Sequence, residues 1–267
     1  MNMIKNITSQ HNQEVKDVLV LKKSSNRKKE NKFFVDGYRE IEIALKSGLT
    51  IEKLFICSDL VKKEVDLVEN IKDNKVLYVN EYIFKKISYK ENPDGFLAVF
   101  KKKKKVFKNI YTSKKPMVVV LESIEKPGNL GAIIRTSYAA GVDLIILNDS
   151  QTDIYNPNVI RSSEGAVFLL PIINETKENT LKWLKSQKII PLATSIKKEA
   201  NIYYNYDFLS GFALLLGSEA NGLSDFWLKN SQNNITIPMI NKIDSLNVSV
   251  AYGIIIFEAL RQRGKKQ

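Results

Sequence analysis

The chain has 267 residues, 44% of them hydrophobic and 26% charged, which is ordinary for a folded globular protein with room for one large or two moderate domains. One cysteine, Cys57, excludes a disulfide framework and a cysteine-rich metal site, and a single histidine, His11, all but removes a Ser-His-Asp triad. Lys and Arg number 41 against 29 Asp and Glu, a formal charge of +12 that favours a polyanionic partner, because phosphates release counterions when basic groups neutralise them.

No apolar run approaches the ~20 residues needed to cross a bilayer. The opening MNMIKNITSQ lacks an apolar signal core, so the expectation is a cytoplasmic protein without a membrane partner. Val15, Val18, Leu19 and Leu21 predict a helix over about 10–21. KKSSNRKKENK (22–32) has no apolar face and reads as a solvated basic loop. Alternation follows: strand and turn at 33–37, helix at 38–48 closed by Gly48, strand at 53–58, helix at 61–72, strand at 75–80, helix at 81–88 and strand at 95–101. Strands and helices alternating at these lengths indicate a small α/β domain over 1–105. Lys101, Lys102 and Lys103, with two more lysines behind them, read either as a solvated edge or as a stripe contacting RNA phosphates. Residues 106–116 then form a linker.

The second domain, 117–267, opens on the apolar strand MVVVLESI (117–124). Helix 129–141, strand 142–147, a polar loop at 148–158, helix 159–167, strand 168–173, helix 177–187 and strands 188–196 and 212–218 follow. Near-continuous Val, Ile and Leu in these strands predict a parallel sheet covered on both faces. GFALLLGSEANGL (211–223) and ITIPMINKIDSLNVSVAYGIIIFEALRQR (235–263) each pass from a buried strand into small and polar residues, and the second continues as a helix. Ligands of open α/β proteins sit beyond the carboxyl ends of strands, so 217–222 and 241–247 form the first candidate site.

The turn from Glu125 to Gly131 lacks G-x-G-x-x-G, and no G-x-x-x-x-G-K-[ST] occurs, which argues against dinucleotide binding and nucleoside triphosphate hydrolysis. HExxH and CxxC are absent, so no catalytic metal is expected. Asn129, near the start of its helix, suits either a cap or a site residue. At ~100° per residue, Leu130, Ile133, Ile134 and Ser137 form the buried face and leave Arg135 on its flank, with Gly131 one turn earlier.

Three stretches carry a family resemblance. PGNLGAIIRT (127–136), LLGSEANGL (215–223) and IPM with SLNVSVA (237–239, 245–251) are similar, in order, to the three motifs of the SpoU/TrmH family, RNA ribose 2′-O-methyltransferases of the SPOUT superfamily. NPNVIRSSEGA (156–166) resembles a further segment of that family. Residues 1–105 more loosely resemble the ribosomal-protein-like RNA-holding domain of its two-domain rRNA-modifying branch. The resemblance implies an α/β chain whose C-terminal parallel-sheet domain is threaded into a trefoil knot, and a homodimer. It implies S-adenosylmethionine cradled by the backbone of Leu216, Gly217, Ile237, Met239 and Leu246, with Thr194 a further contact. The implied substrate is 23S rRNA. The alternatives are transfer RNA and an inactive RNA-binding protein of the same fold, and methylation of a base nitrogen is the rival chemistry. Arg135 matches the family's catalytic arginine. Because a guanidinium is a poor free base, its expected role is to pair with the RNA phosphate and stabilise a developing alkoxide. Asn129, Glu219, Ser245 and Asn247 match the other polar motif positions: Glu219 to fix Arg135 or Asn129, Ser245 and Asn247 to organise the knot loop or the ribose. Arg161 is expected to contact phosphate. One departure is Ala220-Asn221-Gly222, where members commonly have Gly-x-Gly.

Overall fold

A computed structural model of the chain describes residues 5–62, 71, 73–103, 106–107, 110, 113–195, 200–241 and 245–264. The helix predicted over 61–72 lies mostly outside the described residues, as do 104–105 of the lysine run and 242–244 of the candidate site at 241–247. Two compact units emerge: residues 1–103 with 154–169, and residues 104–153 with 170–267. Segment 154–169 thus departs from a contiguous division of the chain. Phe33 supplies a reason, because its ring stacks on Tyr155 at 4.2 Å and on Phe168 at 5.9 Å. Such aromatic pairs add about 0.5–1.5 kcal/mol beyond the area they bury.

In the first unit, β1 (Lys5–Ile7), β2 (Lys32–Asp36), β3 (Ile51–Ile56), β4 (Val76–Val79) and β5 (Phe96–Lys101) form one sheet in the order β1-β4-β3-β5-β2. β1, β4 and β3 are parallel, and β5 runs antiparallel to both its neighbours. Three residues are too few for β1 to leave an alternation pattern, and the sequence does not announce it. Helix α1 (Gln13–Val20) begins where Asn12 caps it, the side chain accepting from the Glu14 N–H at 2.9 Å. Its Val15 and Val18 join Phe55, Leu77 and Leu97 of the sheet in the core, with Ile83, Phe84 and Ile87 from α4 (Glu81–Ile87). α3 (Tyr38–Lys46) is followed by Gly48 at φ 81°, as the sequence suggests.

Two expectations fail here. Residues 22–32 are not simply a solvated loop, because α2 (Ser24–Lys29) forms within them. Its Arg27 is 1% exposed and donates through Nη1 to the carbonyls of Leu21 at 2.9 Å and Lys22 at 3.0 Å. One long side chain thus replaces the apolar face that the stretch lacks. The single helix predicted over 159–167 is two short ones, α6 (Pro157–Ser162) and α7 (Ala166–Leu169). Glu164 and Gly165 take φ of 49° and 80° between them, which a continuous helix cannot accommodate. The strand predicted from 168 therefore starts only at Ile172.

In the second unit, β6 (Met117–Glu122), β7 (Leu144–Asn148), β8 (Ile172–Asn174), β9 (Ile190–Thr194), β10 (Asn201–Ile202), β11 (Phe212–Leu216) and β12 (Asn233–Thr236) form a parallel sheet in the order β10-β12-β9-β11-β6-β7-β8. Its helices include α5 (Pro127–Ala140), α8 (Lys177–Ser186), α9 (Asp225–Asn230) and α10 (Val248–Gln262). α5 stops at Gly141, whose left-handed φ of 69° suits the C-terminal turn. α5 and α10 pack together around a buried hydroxyl pair. Ser137 Oγ donates to the Ile133 carbonyl at 2.7 Å and so accepts from the Tyr252 hydroxyl at 2.6 Å. Burial pushes the Tyr252 phenol far above its ordinary value, which keeps that donor neutral. Among the described residues no helix is long and apolar enough to cross a membrane, and no group of three or more His, Cys, Asp or Glu is placed to hold a metal ion.

Candidate active site

All strands of the second sheet are parallel, so their carboxyl ends share one edge. A cleft of about 470 Å³ opens there, between the ends of β9, β11 and β12 and the start of α10. Thr194, Leu216, Gly217, Ile237, Met239 and Leu246, singled out in the sequence as cofactor contacts, all line it, together with Glu219 and Ser245. Leu228 of α9 and Ile255 of α10 complete an apolar wall that the sequence does not flag, because their spacing reads as ordinary core.

The loop after β11 folds back on the strand end. A Cβ at Gly217 would stand 2.0 Å from the carbonyl carbon of Gly222 and 2.3 Å from the Leu223 nitrogen, so only glycine allows this backbone-on-backbone contact. Ser218 and Gly222 form an antiparallel bridge, the Gly222 N–H donates to the Ser218 carbonyl at 3.0 Å, and the Asn221 N–H donates to Ser218 Oγ at 3.1 Å. Thr194 Oγ1 donates to the Leu215 carbonyl at 2.9 Å, tying the end of β9 to β11.

The far side of the loop is anchored by Glu122, which is 3% exposed. Its carboxylate accepts from the Ser224 N–H and Oγ, both at 2.7 Å, and pairs with Lys177 at 3.4 Å. Asp149, at 3.0 Å, and Glu122 hold the Lys177 ammonium above its ordinary range. Sequence reasoning misses this anchor, and the available signal was one carboxylate closing the otherwise apolar MVVVLE strand.

The polar motif residues meet at the mouth of the cleft. Asn247 caps α10, its Oδ1 accepting from the Ser249 N–H at 3.0 Å and the Ser249 hydroxyl at 2.7 Å. That commitment leaves the Asn247 amide nitrogen to donate, which it does to Asn129 Oδ1 at 3.1 Å. Asn129 Nδ2 in turn donates to the Glu219 carboxylate. Amide chemistry therefore orients the whole chain of bonds, with its negative end at Glu219. Asn129 is not a cap, because α5 is capped at Lys126 and Asn129 lies inside the first turn. This bond joins Glu219 to Asn129, one of the two partners expected for it. Arg135 is exposed on the same helix, about 9 Å further along at 1.5 Å per residue. Leu130, Ile133, Ile134 and Ser137 are buried, as their spacing predicts.

The apolar walls from Leu216, Leu228, Ile237 and Leu246, the exposed backbone of two loops and a carboxylate at the mouth fit a nucleoside that carries a cationic group. The residues expected to contact RNA lie in the first unit. Lys101 pairs with Glu52 at 3.1 Å, Lys102 sits 5.1 Å from the Tyr155 ring centroid, and Lys103 donates to the Gly48 carbonyl. Arg161, exposed near the end of α6, lines a small cavity with Asp36, Tyr89 and Lys90.

Residues 116–257 match the model of the SpoU rRNA Methylase family, and residues 12–98 match that of the MRM3-like substrate binding domain. A 23S rRNA (guanosine(2553)-2′-O)-methyltransferase of Bacillus subtilis is 29% identical over 95% of this chain and 98% of its own length. A 23S rRNA (uridine(2479)-2′-O)-methyltransferase of Streptomyces viridochromogenes is 26% identical over 89% of this chain and 85% of its own length. An AdoMet-bound rRNA methyltransferase from Sinorhizobium meliloti has a TM-score of 0.88 at 30% identity, covering 96% of this chain and 97% of that one. The matched span 116–257 is more than half of the chain and includes every residue of the cleft and of the Asn247–Asn129–Glu219 bonds, so the chain belongs to the SpoU rRNA methylase family.

Proposed function

We propose that this protein methylates a ribose 2′-hydroxyl of 23S rRNA, with S-adenosylmethionine as the methyl donor. The observation that carries the proposal is the Asn247–Asn129–Glu219 relay, drawn from all three motif stretches and set at the mouth of a cleft that the cofactor fits. When bound, S-adenosylmethionine supplies a methyl group activated by its positively charged sulfonium. The chain contributes positioning and charge stabilisation. Leu216, Gly217, Ile237, Met239 and Leu246 hold the nucleoside, with Thr194 at its edge. Asn129, braced by Asn247 and Glu219, orients the ribose, and Ser245 borders the same space. Arg135, through its guanidinium, pairs with the substrate phosphate and stabilises the charge that develops on the 2′-oxygen. The two relatives act, by their names, on a guanosine and a uridine, which favours shared chemistry at the ribose over chemistry at a base nitrogen. Their 23S names favour ribosomal over transfer RNA.

Residues 1–105 hold the RNA, with Arg161 on a phosphate, and 117–267 carry out the transfer. The C-terminal segment is threaded as a trefoil knot, in keeping with β11 lying between β9 and β6. The working form is a homodimer. Its support is an apolar exposed face: Tyr138 on α5 is 52% exposed, and Val250 and Phe257, two turns apart on α10, are 51% and 48% exposed. Sedimentation equilibrium tests this, and a monomer at micromolar concentration would refute it. A ribosomal RNA substrate supports a cytoplasmic location.

The reaction is tested by incubating the protein with S-adenosylmethionine and 23S rRNA from cells that lack it, then mapping positions that resist alkaline cleavage. One new resistant position is expected with the natural chain and none with Arg135→Ala, whose cofactor affinity stays within a few-fold. No resistant position with the natural chain refutes the proposed reaction, and turnover by Arg135→Ala removes that residue from its centre.

A further inference from the structure

In the first unit, α4 presents an outward face that the lysine run at 101–103 does not match. Ile83, Phe84 and Ile87 are buried, so at ~100° per residue Tyr82, Lys85 and Lys86 share the opposite side. Tyr82 is 65% exposed and Tyr89, just beyond the helix, is 40% exposed. Both stand on a braced scaffold. The Tyr82 hydroxyl donates to Gln10 Oε1 at 3.3 Å, and the Lys86 ammonium donates to the same oxygen. The Tyr89 N–H is held by the Asp36 carboxylate at 2.7 Å.

Basic groups stand at the end of α4 and beside Tyr89. Lys22 donates to the carbonyls of Lys86 and Ser88, both at 2.9 Å, which sets its ammonium at the end of α4. Tyr89 lines a small cavity with Lys90 and Arg161. Lys22 and Lys86 bond neutral oxygens and keep their charge, whereas Lys85 pairs with Glu81 at 2.5 Å and Lys90 with Glu40 at 3.2 Å, pairs that a phosphate must open. Aromatic rings alternating with basic groups match the face of a single strand, in which each base offers a π-surface and each phosphate a charge. A duplex hides its base faces within the stack and offers backbone, 2′-hydroxyls and groove edges instead.

We infer that this face is a stacking platform for unpaired bases of the RNA, received by Tyr82 and Tyr89 and flanked by Lys22, Lys85, Lys86, Lys90 and Arg161. The inference takes its substrate class, RNA, from the proposed function, and narrows it to a loop or single-stranded segment.

The test measures anisotropy of a labelled oligouridylate with the full chain, alongside methyl transfer to 23S rRNA. Tyr82→Ala and Tyr89→Ala each weaken oligouridylate binding, by about 5- to 150-fold per lost stack, while the Tyr→Phe variants bind like the natural chain. Lys85→Ala with Lys86→Ala lowers the slope of log affinity against log salt by roughly 0.7 per lysine, and the tyrosine variants leave that slope unchanged. Circular dichroism and cofactor affinity stay at natural values in all of them. Oligouridylate affinity of the double tyrosine-to-alanine variant within about twofold of the natural chain overturns the platform, and is also the outcome if the face serves a protein partner instead. The two proposals fail separately. Tyrosine-dependent binding without methyl transfer to 23S rRNA refutes the reaction alone, whereas methyl transfer with tyrosine-independent binding and KM refutes the platform alone.

Discussion

A single methyl group at Gly217 tests whether the returning loop shapes the cofactor cleft. On the present backbone that Cβ would stand 2.0 Å from the carbonyl carbon of Gly222, 2.1 Å from its oxygen and 2.3 Å from the Leu223 nitrogen. Non-bonded heavy atoms rest near 3.5 Å, so the strand end and the loop must part by about 1 Å or more. The obstacle is backbone rather than a side chain that can rotate away, and the Ser218–Gly222 bridge resists the separation. Overpacking of this kind costs about 1–3 kcal/mol of stability. The functional loss should be larger, because displacing positioned groups by about 1 Å costs on the order of 100-fold in rate. Gly217→Ala is therefore expected to keep its fold by circular dichroism, to bind S-adenosylmethionine more weakly by calorimetry, and to lose about 100-fold in kcat/KM. Gly222→Ala is the control on the same loop. Its φ of 65° costs an alanine about 1–2 kcal/mol, but the added Cβ meets nothing within 4 Å, so cofactor affinity falls far less. Natural cofactor affinity in Gly217→Ala, or the larger loss in Gly222→Ala, would refute the reasoning.

Asn247 has two jobs that one substitution separates: Asn247→Asp keeps an acceptor for the α10 cap but removes the amide donor to Asn129, so kcat falls while thermal stability holds. Asn247→Ala loses both, including about 1 kcal/mol for the cap, and an undiminished kcat in Asn247→Asp would sink the relay. Tyr252→Phe removes one buried hydrogen bond while Ser137 keeps its bond to Ile133. The cost is about 1 kcal/mol, or a fall in Tm of roughly 2–4 °C, and a Tm unchanged by calorimetry would show that the pair contributes nothing. Glu258 accepts from Arg261 at 2.8 Å and from Gln262 at 2.9 Å, and these bonds, Arg261 foremost, hold its carboxyl down at about 2. A depressed carboxylate stabilises above its unfolded range and loses that contribution on acidification. In urea melts the advantage of the natural chain over Glu258→Gln should thus be full at neutral pH and fade between pH 4.5 and about 2; an advantage that persists at pH 2 refutes it.

Residue pattern alone was sufficient wherever an element answers to its own neighbours. The apolar run of β6, the buried face of α5 and the turn at Gly48 are local matters of hydrophobic period and left-handed backbone, and they were legible. The strand ends and small-residue turns at 217–222 and 241–247 mark where a ligand sits in a parallel sheet, and the six residues that the family resemblance marks as cofactor contacts line one cleft there. Long-range partners were not legible. Arg27 turned a basic stretch into α2 by spending its guanidinium on two carbonyls, and Phe33 drew 154–169 into the first unit by stacking. Lys101, Lys102 and Lys103, which look like a free basic stripe, found partners in Glu52, Tyr155 and Gly48. Asn129 is the sharpest case. The amino-acid sequence by itself determined that an amide stands in the first turn of a helix after a buried strand, which suits a cap or a site equally. Only the tertiary structure sets aside the cap, since the side chain of Asn129 bonds to Glu219 and Asn247, 90 and 118 positions away, and no local pattern records a hydrogen bond across that distance.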